Sequence, residues 1–219
     1  MRPTSAVRSL AWLLLCTLVL TSGTGCFTFA ANLIHAIKGN KRPAEYNALK
    51  GKKVAIVCST DSGLSSNQSS ELLTRFVRAR LEENVKDIKI VRQEEVNSWI
   101  DSHSWTEADY KEIGKGVGAD QLLAISLTNL SLRDGMTLYK GKCDIKVTVY
   151  DIKDEGNIVY RKQIPEFEFP KIGGQAVTDS TESKFRGYFI SIVSEKIATL
   201  FYDAEANQDV ALDATLSNL

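Results

Sequence analysis

An α/β (α+β) fold is expected: a single mixed β-sheet, elements in the order β-α-β-α-β-β-β-α, and helices packed on the sheet. Three observations predict it. Residues 121–127 (QLLAISL) form a nearly continuous apolar run, the pattern of a strand covered on both faces. Cys143, Ile145, Val147 and Val149 alternate with Asp144, Lys146, Thr148 and Tyr150, a period of two that belongs to an antiparallel strand with one dry face. Leu73, Val77, Leu81 and Val85 recur every fourth residue, joined by Leu72 and Phe76, which makes one broad helical stripe.

Taken in order, residues 1–25 read as an export signal of the lipoprotein type. Arg2 and Arg8 form a basic head, residues 10–20 (LAWLLLCTLVL) an apolar core too short to be a comfortable permanent span, and small residues lead to Cys26. Gly-Thr-Gly-Cys26 resembles the bacterial lipoprotein signal, although Gly23 stands where that signal usually carries Leu, Val or Ile. The resemblance implies lipid attachment at Cys26, which turns a soluble domain into a membrane-anchored one. Residues 26–50 are expected to be a membrane-proximal tether, residues 51–206 the α/β domain, and residues 207–219 a polar C-terminal tail.

Within the domain, residues 52–58 (KKVAIVC) predict the first strand and residues 66–85 the first long helix. Residues 87–91 predict a short second strand, and residues 93–100 and 107–114 two short helices. A meander follows, turning at Asp134-Gly135 and again at Asp154-Glu155-Gly156-Asn157. Residues 164–169 extend its last strand, where Pro165 points to an edge or a bulge. A loop around Gly173-Gly174 leads to a long helix over residues 182–204.

Lys plus Arg equals Asp plus Glu at 27 each, so no global field draws the chain to nucleic acid or acidic lipid. Arg75, Arg78 and Arg80 are the densest basic patch and read as a solvated helix face.

Gly114, Gly116 and Gly118 follow a helix and precede a strand, the reverse of a phosphate loop, so they read as a helix stop. Residues 135–142 mimic a Walker loop, but the spacing from Gly135 to Gly141 is wrong and Cys143 replaces the hydroxyl residue. His35 and His103 lie far apart, and neither HExxH nor GxSxG occurs. Asp151 and Asp154 read as turn formers. Cys58 and Cys143 sit in predicted strands; a disulfide is conceivable, and two buried thiols packed as small hydrophobes are the preferred reading. Hence no catalytic, cofactor-binding or metal-binding residue is assigned.

The succession VAIV with a polar Asp-Ser-Gly loop, a long helix, KIVRQEEVNSWI, IGKGVGADQLLAISLTNL and DIKVTVYDIKDEGNIVY resembles a known group. It is similar to the periplasmic domains of CsgG, the TolB N-terminal region and the penicillin-binding-protein activator LpoB, over about residues 52–201. One departure is the turn Asp151-Ile-Lys-Asp-Glu-Gly156, one residue longer than that group's. The resemblance implies a non-catalytic envelope lipoprotein that binds another envelope protein as an assembly factor or activator. It places the chain on the periplasmic side, at the outer membrane in preference to the inner. The alternatives are a subunit of a CsgG-like secretion channel, which needs long alternating hairpins that residues 132–142 look too short to supply, and a hydrolase. The polar loops over residues 60–68 and 170–180 are the surfaces most open to a partner.

Overall fold

The computed structural model describes residues 41–61, 64, 67–103 and 109–205; Cys26, His35 and the C-terminal tail lie outside the described residues. The elements are β1 (Lys41–Arg42), β2 (Lys53–Ser59), α1 (Gln68–Asn84), β3 (Lys89–Ile90), α2 (Gln93–Asp101), α3 (Tyr110–Gly116), β4 (Gln121–Asp134), β5 (Leu138–Asp151), β6 (Asn157–Phe169), β7 (Gln175–Ala176), α4 (Glu182–Ala198) and β8 (Ala204–Glu205). The main sheet runs β3-β2-β4-β5-β6, with β7 added to β5 beyond the end of β6. β2 lies parallel to β3 and β4, whereas β4, β5 and β6 form the antiparallel meander. The expected mixed sheet with packed helices is what the chain forms.

Alternation sorts the strand residues onto two faces. Val54, Ile56, Cys58, Leu123, Ile125, Leu127, Cys143, Ile145, Val147 and Val149 share a core with Leu73, Val77 and Leu81 of α1 and Phe185, Phe189, Val193 and Ile197 of α4. On the opposite face Ala55, Val57, Leu122 and Ala124 meet Val96 of α2 and Ile113 of α3. β2 and the first half of β4 are therefore covered on both sides, which is why their apolar runs are unbroken. Beyond them, that second face turns polar and exposed, as at Lys146.

Three differences from the sequence reading have identifiable causes. α4 ends at Ala198, not near residue 204: Thr199 caps it, and Leu200 and Phe201 turn back with N–H groups donating to the carbonyls of Ile197 (3.1 Å) and Ala198 (3.0 Å). Both side chains are buried, so the apolar stripe continues past the helix that it was used to delimit. The hairpin is longer than its pattern suggested, because within the expected connection over residues 132–142 only residues 135–137 are turn, and 132–134 and 138–142 are strand. A shift in register between Thr128 and Ser131 moves the inward positions from Leu127 to Leu132, and that phase change hides the continuation. Finally, Arg80 leaves the solvated face: it bonds Glu195 of α4 and donates to Ser191 Oγ at 3.0 Å, tying the two long helices together.

Packing also begins before Gly51. Tyr46 N–H donates to the Leu200 carbonyl (2.9 Å), Ala44 N–H to the Asp203 carboxylate (3.0 Å), and Leu49 is fully buried. Tyr46 meets Tyr160 and Phe201, at ring centroid distances of 5.3 and 6.3 Å. Residues 42–50 thus form a strap across one end of the sheet.

Val147 is fully buried and Lys146 exposed. Val147→Asp is expected to cost several kcal/mol or to unfold the protein, and Lys146→Asp to stay within about 0.5 kcal/mol, as read by thermal melts. Gly141 offers a second check, because a Cβ there would sit 2.1 Å from the Phe189 ring. Gly141→Ala should destabilise by about 1–3 kcal/mol through overpacking.

Candidate functional site

The loops nominated from sequence leave the sheet at one pole. β2 ends at Ser59 and the chain crosses to α1 at Gln68; β4 and β5 turn over at residues 135–137; β6 ends at Phe169, and α4 begins at Glu182. Of the first loop, residues 62, 63, 65 and 66 lie outside the described residues. The second is an excursion from the sheet edge: Phe169 pairs with Gly141, then Gln175 and Ala176 pair with Tyr139 and Leu138. Residues 170–174 between these pairings are spare length, and Ile172 is 92% exposed there.

A groove of about 600 Å³ opens at this pole, lined by Thr60, Asp61, Asn67, Gln68 and Ser69 on one side and residues 130–133 with Glu182 and Arg186 on the other. Arg133 Nη2 lies 3.1 Å from one Glu182 oxygen, and Arg186 Nη2 lies 2.8 Å from the other. Arg186 also bonds the Gln68 side chain. One carboxylate therefore joins the hairpin to α4, and one guanidinium joins α4 to α1. The groove floor is charged but internally paired.

The amides that open α1 are occupied as well. Asn67 Oδ1 accepts from the N–H groups of Ser69 and Ser70 (3.0 Å each), and Ser70 Oγ accepts from Asn67 N–H in return. Asn67 Nδ2 donates to Thr60 Oγ1 at 2.6 Å, which secures the loop to the helix. This reciprocal cap consumes donors that a bound anion would otherwise use.

The hairpin wall stands on Asp144. Its Oδ2 accepts from Asn129 Nδ2 (2.6 Å) and its Oδ1 from the Glu166 N–H (2.7 Å). Both partners have left-handed backbones, φ 54° at Asn129 and 49° at Glu166, and both sit at register shifts of the strands flanking β5. Glutamate has no intrinsic liking for that conformation. A single carboxylate thus pins a bulge on each side, and those two hydrogen bonds, Glu166 first, hold its pKa below the usual value.

The other residues weighed for chemistry fall apart. Asp151 Oδ1 accepts from the N–H groups of Lys153 (3.1 Å) and Asp154 (3.2 Å), and Asp154 Oδ2 accepts from Asn157 Nδ2 (3.1 Å), so both act in the turn. His103 stacks on Trp99 at 4.1 Å beside the end of α2. Gly118, at φ 61°, closes the turn after α3 as a helix stop does. Cys58 and Cys143 are free and buried, and burial pushes both thiols up to about 12. Among the described residues no group of three or more His, Cys, Asp or Glu could hold a metal ion. Arg133, Glu182 and Arg186 escaped sequence reasoning; a charge pair at residues 182 and 186 was the available signal, but nothing local tied it to Arg133.

No protein-family model matches the sequence, and no curated protein matches it significantly. Solved structures do resemble the chain. Lipoprotein GNA1162 from Neisseria meningitidis is 13% identical over 67% of this chain and 97% of its own, with a TM-score of 0.42. The PelC dodecamer from Paraburkholderia phytofirmans is 13% identical over 74% and 96%, with a TM-score of 0.39. The LpoB C-terminal domain from Escherichia coli is 14% identical over 52% and 80%, with a TM-score of 0.35. Bacterial lipoproteins are thus among the structures it resembles. At these values none assigns the chain to a family.

Because the folded pKa of Asp144 is lowered, its contribution is complete above pH ~4 and is lost as pH falls through the depressed value. Asp144→Asn is expected to melt below wild type at pH 7, with the gap narrowing toward pH 2. A gap of constant size across that range would show that the charge does not hold the bulges.

Proposed function

We propose that the chain is a non-catalytic envelope lipoprotein, anchored through lipid on Cys26 at the periplasmic side of the outer membrane. Its α/β domain binds another envelope protein as an assembly factor or activator. The observation that carries this reading is convergence: segments far apart in sequence, at residues 60–69, 130–133 and 182–186, line one polar groove. The excursion at residues 170–174 leaves the sheet at that same pole. The lipoprotein-type Gly-Thr-Gly-Cys26 and the sequence resemblance to LpoB-like activators support the same reading.

Multiple substitutions in residues 61–66, sparing Thr60 and the helix-capping Asn67 that it bonds, or in residues 170–174 should abolish partner capture by crosslinking while leaving the melting curve nearly unchanged. Single alanine replacements of His103, Asp151 and Asp154 should leave function intact. Loss of function without unfolding in any of those three would mean that the protein is an enzyme. Separately, Cys26→Ser should abolish radiolabelled palmitate incorporation and release the protein from membranes; equal membrane association of variant and wild type would remove the lipid anchor from the reading.

A further inference from the structure

β6 is the last strand of the main sheet, and among the described residues it pairs with β5 alone. Alternate residues of such a strand turn their N–H and C=O groups away from the sheet. From Ile158 to Ile164 the described residues offer those outward groups no backbone partner. Pro165, which has no N–H, and the left-handed Glu166 (φ 49°) close that stretch at one end. The turn between Asp151 and Asn157 closes it at the other. Within it Ile158 and Val159 stand 44% and 41% exposed.

Sheet edges are commonly guarded by cations, prolines and bulges, and here the guard is partial. Lys162 is drawn off to the strap, its Nζ donating to the two Glu45 oxygens at 2.9 and 3.0 Å, and Tyr160 donates to Glu45 as well (2.9 Å). Arg161 and Gln163 alternate onto the other face, opposite Thr148 and Lys146 of β5, and both are exposed. Neither Arg161 nor Lys146 is in an ion pair among the described residues. Most carboxylates around them are engaged. Glu168 pairs with Lys140 and Lys142, and Glu155 with Lys111. Asp144 holds the two bulges, and Asp154 accepts from Asn157. Glu166, beyond Pro165, is the exposed exception.

We propose that the outer edge of β6 takes up an extended, acidic segment of another protein as an added strand. Its carboxylates face Arg161, and its aliphatic side chains cover Ile158 and Val159. Main-chain hydrogen bonds along residues 158–164 supply the affinity, and the side chains select the occupant. A second copy of this chain fits less well. Antiparallel pairing of two β6 strands over all of residues 158–164 sets Arg161 opposite its own copy, and like charges directly opposite each other are unfavourable. A strand carrying glutamate or aspartate at that position meets a cation instead. No residue lining the groove lies on β6, so the edge is engaged independently of the groove.

The test titrates the purified chain with short capped peptides, read by fluorescence anisotropy, and maps the bound state by amide hydrogen exchange. One peptide alternates valine with glutamate, a second carries lysine in place of glutamate, and a third is the glutamate peptide N-methylated at alternate residues. The glutamate peptide is expected to bind and to slow exchange over residues 158–164. The lysine peptide should bind roughly tenfold more weakly, and Arg161→Glu should remove that preference. The N-methylated peptide should not bind, since it lacks the donors that a strand contributes to a ladder. Equal binding of the glutamate and lysine peptides, binding that leaves residues 158–164 unprotected, or an unchanged preference in Arg161→Glu overturns the proposal. So does a dimer of the chain alone in which residues 158–164 are already protected, which would make a second copy the occupant. Arg161 is exposed, so Arg161→Glu should melt with wild type; if it does not, Arg161→Gln gives the decisive comparison.

Discussion

Burial of one face of β5 is the constraint on which the remaining architecture depends. β5 is paired on both sides, by β4 and by β6, so its alternation sets the phase of three strands together. Cys143, Ile145, Val147 and Val149 must lie under α4, and Ile125 and Leu127 on β4 follow them into the same core. Parallel pairing of β2 to β4 then brings Val54, Ile56 and Cys58 beneath α1. A one-residue slip would expose that entire set and bury Lys146 and Asp144 in its place.

The same strand explains why the groove exists. Where the apolar alternation ends, Asp144 takes over the ordering of the sheet, and its two oxygens hold unfavourable backbone turns at Asn129 and Glu166. The shift at Asn129 redirects the hairpin so that Leu132 and Tyr139 rejoin the core, with Tyr139 stacked on Phe185 at 5.4 Å. Arg133 is thereby carried to Glu182, its guanidinium also lying 5.1 Å from the Tyr139 ring centre. An exposed pair of this kind contributes little stability by itself. Its value is positional, because it sets the width of the groove between hairpin and helices.

A domain organised this way has two unlike ends. One carries loop excursions, paired charges and capped amides; the other carries the strap, the ends of both long helices and the ion pairs of Lys153 with Asp120 and Lys111 with Glu155.

Strand and helix identity were legible in the sequence because periodicity is a local consequence of burial. The runs at residues 121–127 and 143–149 and the stripe from Leu73 to Leu81 needed no partner to be recognised. Pro165, Asp151 and the glycines up to Gly118 likewise announced an edge, a turn and a helix stop through their own backbone preferences. The length of the hairpin, the end of α4 and the docking of residues 42–50 were decided only in the tertiary structure. Each turns on a contact between distant segments: Asp144 with Asn129 and Glu166, the Leu200 carbonyl with Tyr46, Arg133 with Glu182. Hydrophobic pattern records which side of an element is dry, whereas hydrogen bonds between distant residues depend on where the fold brings them, and no local pattern encodes that.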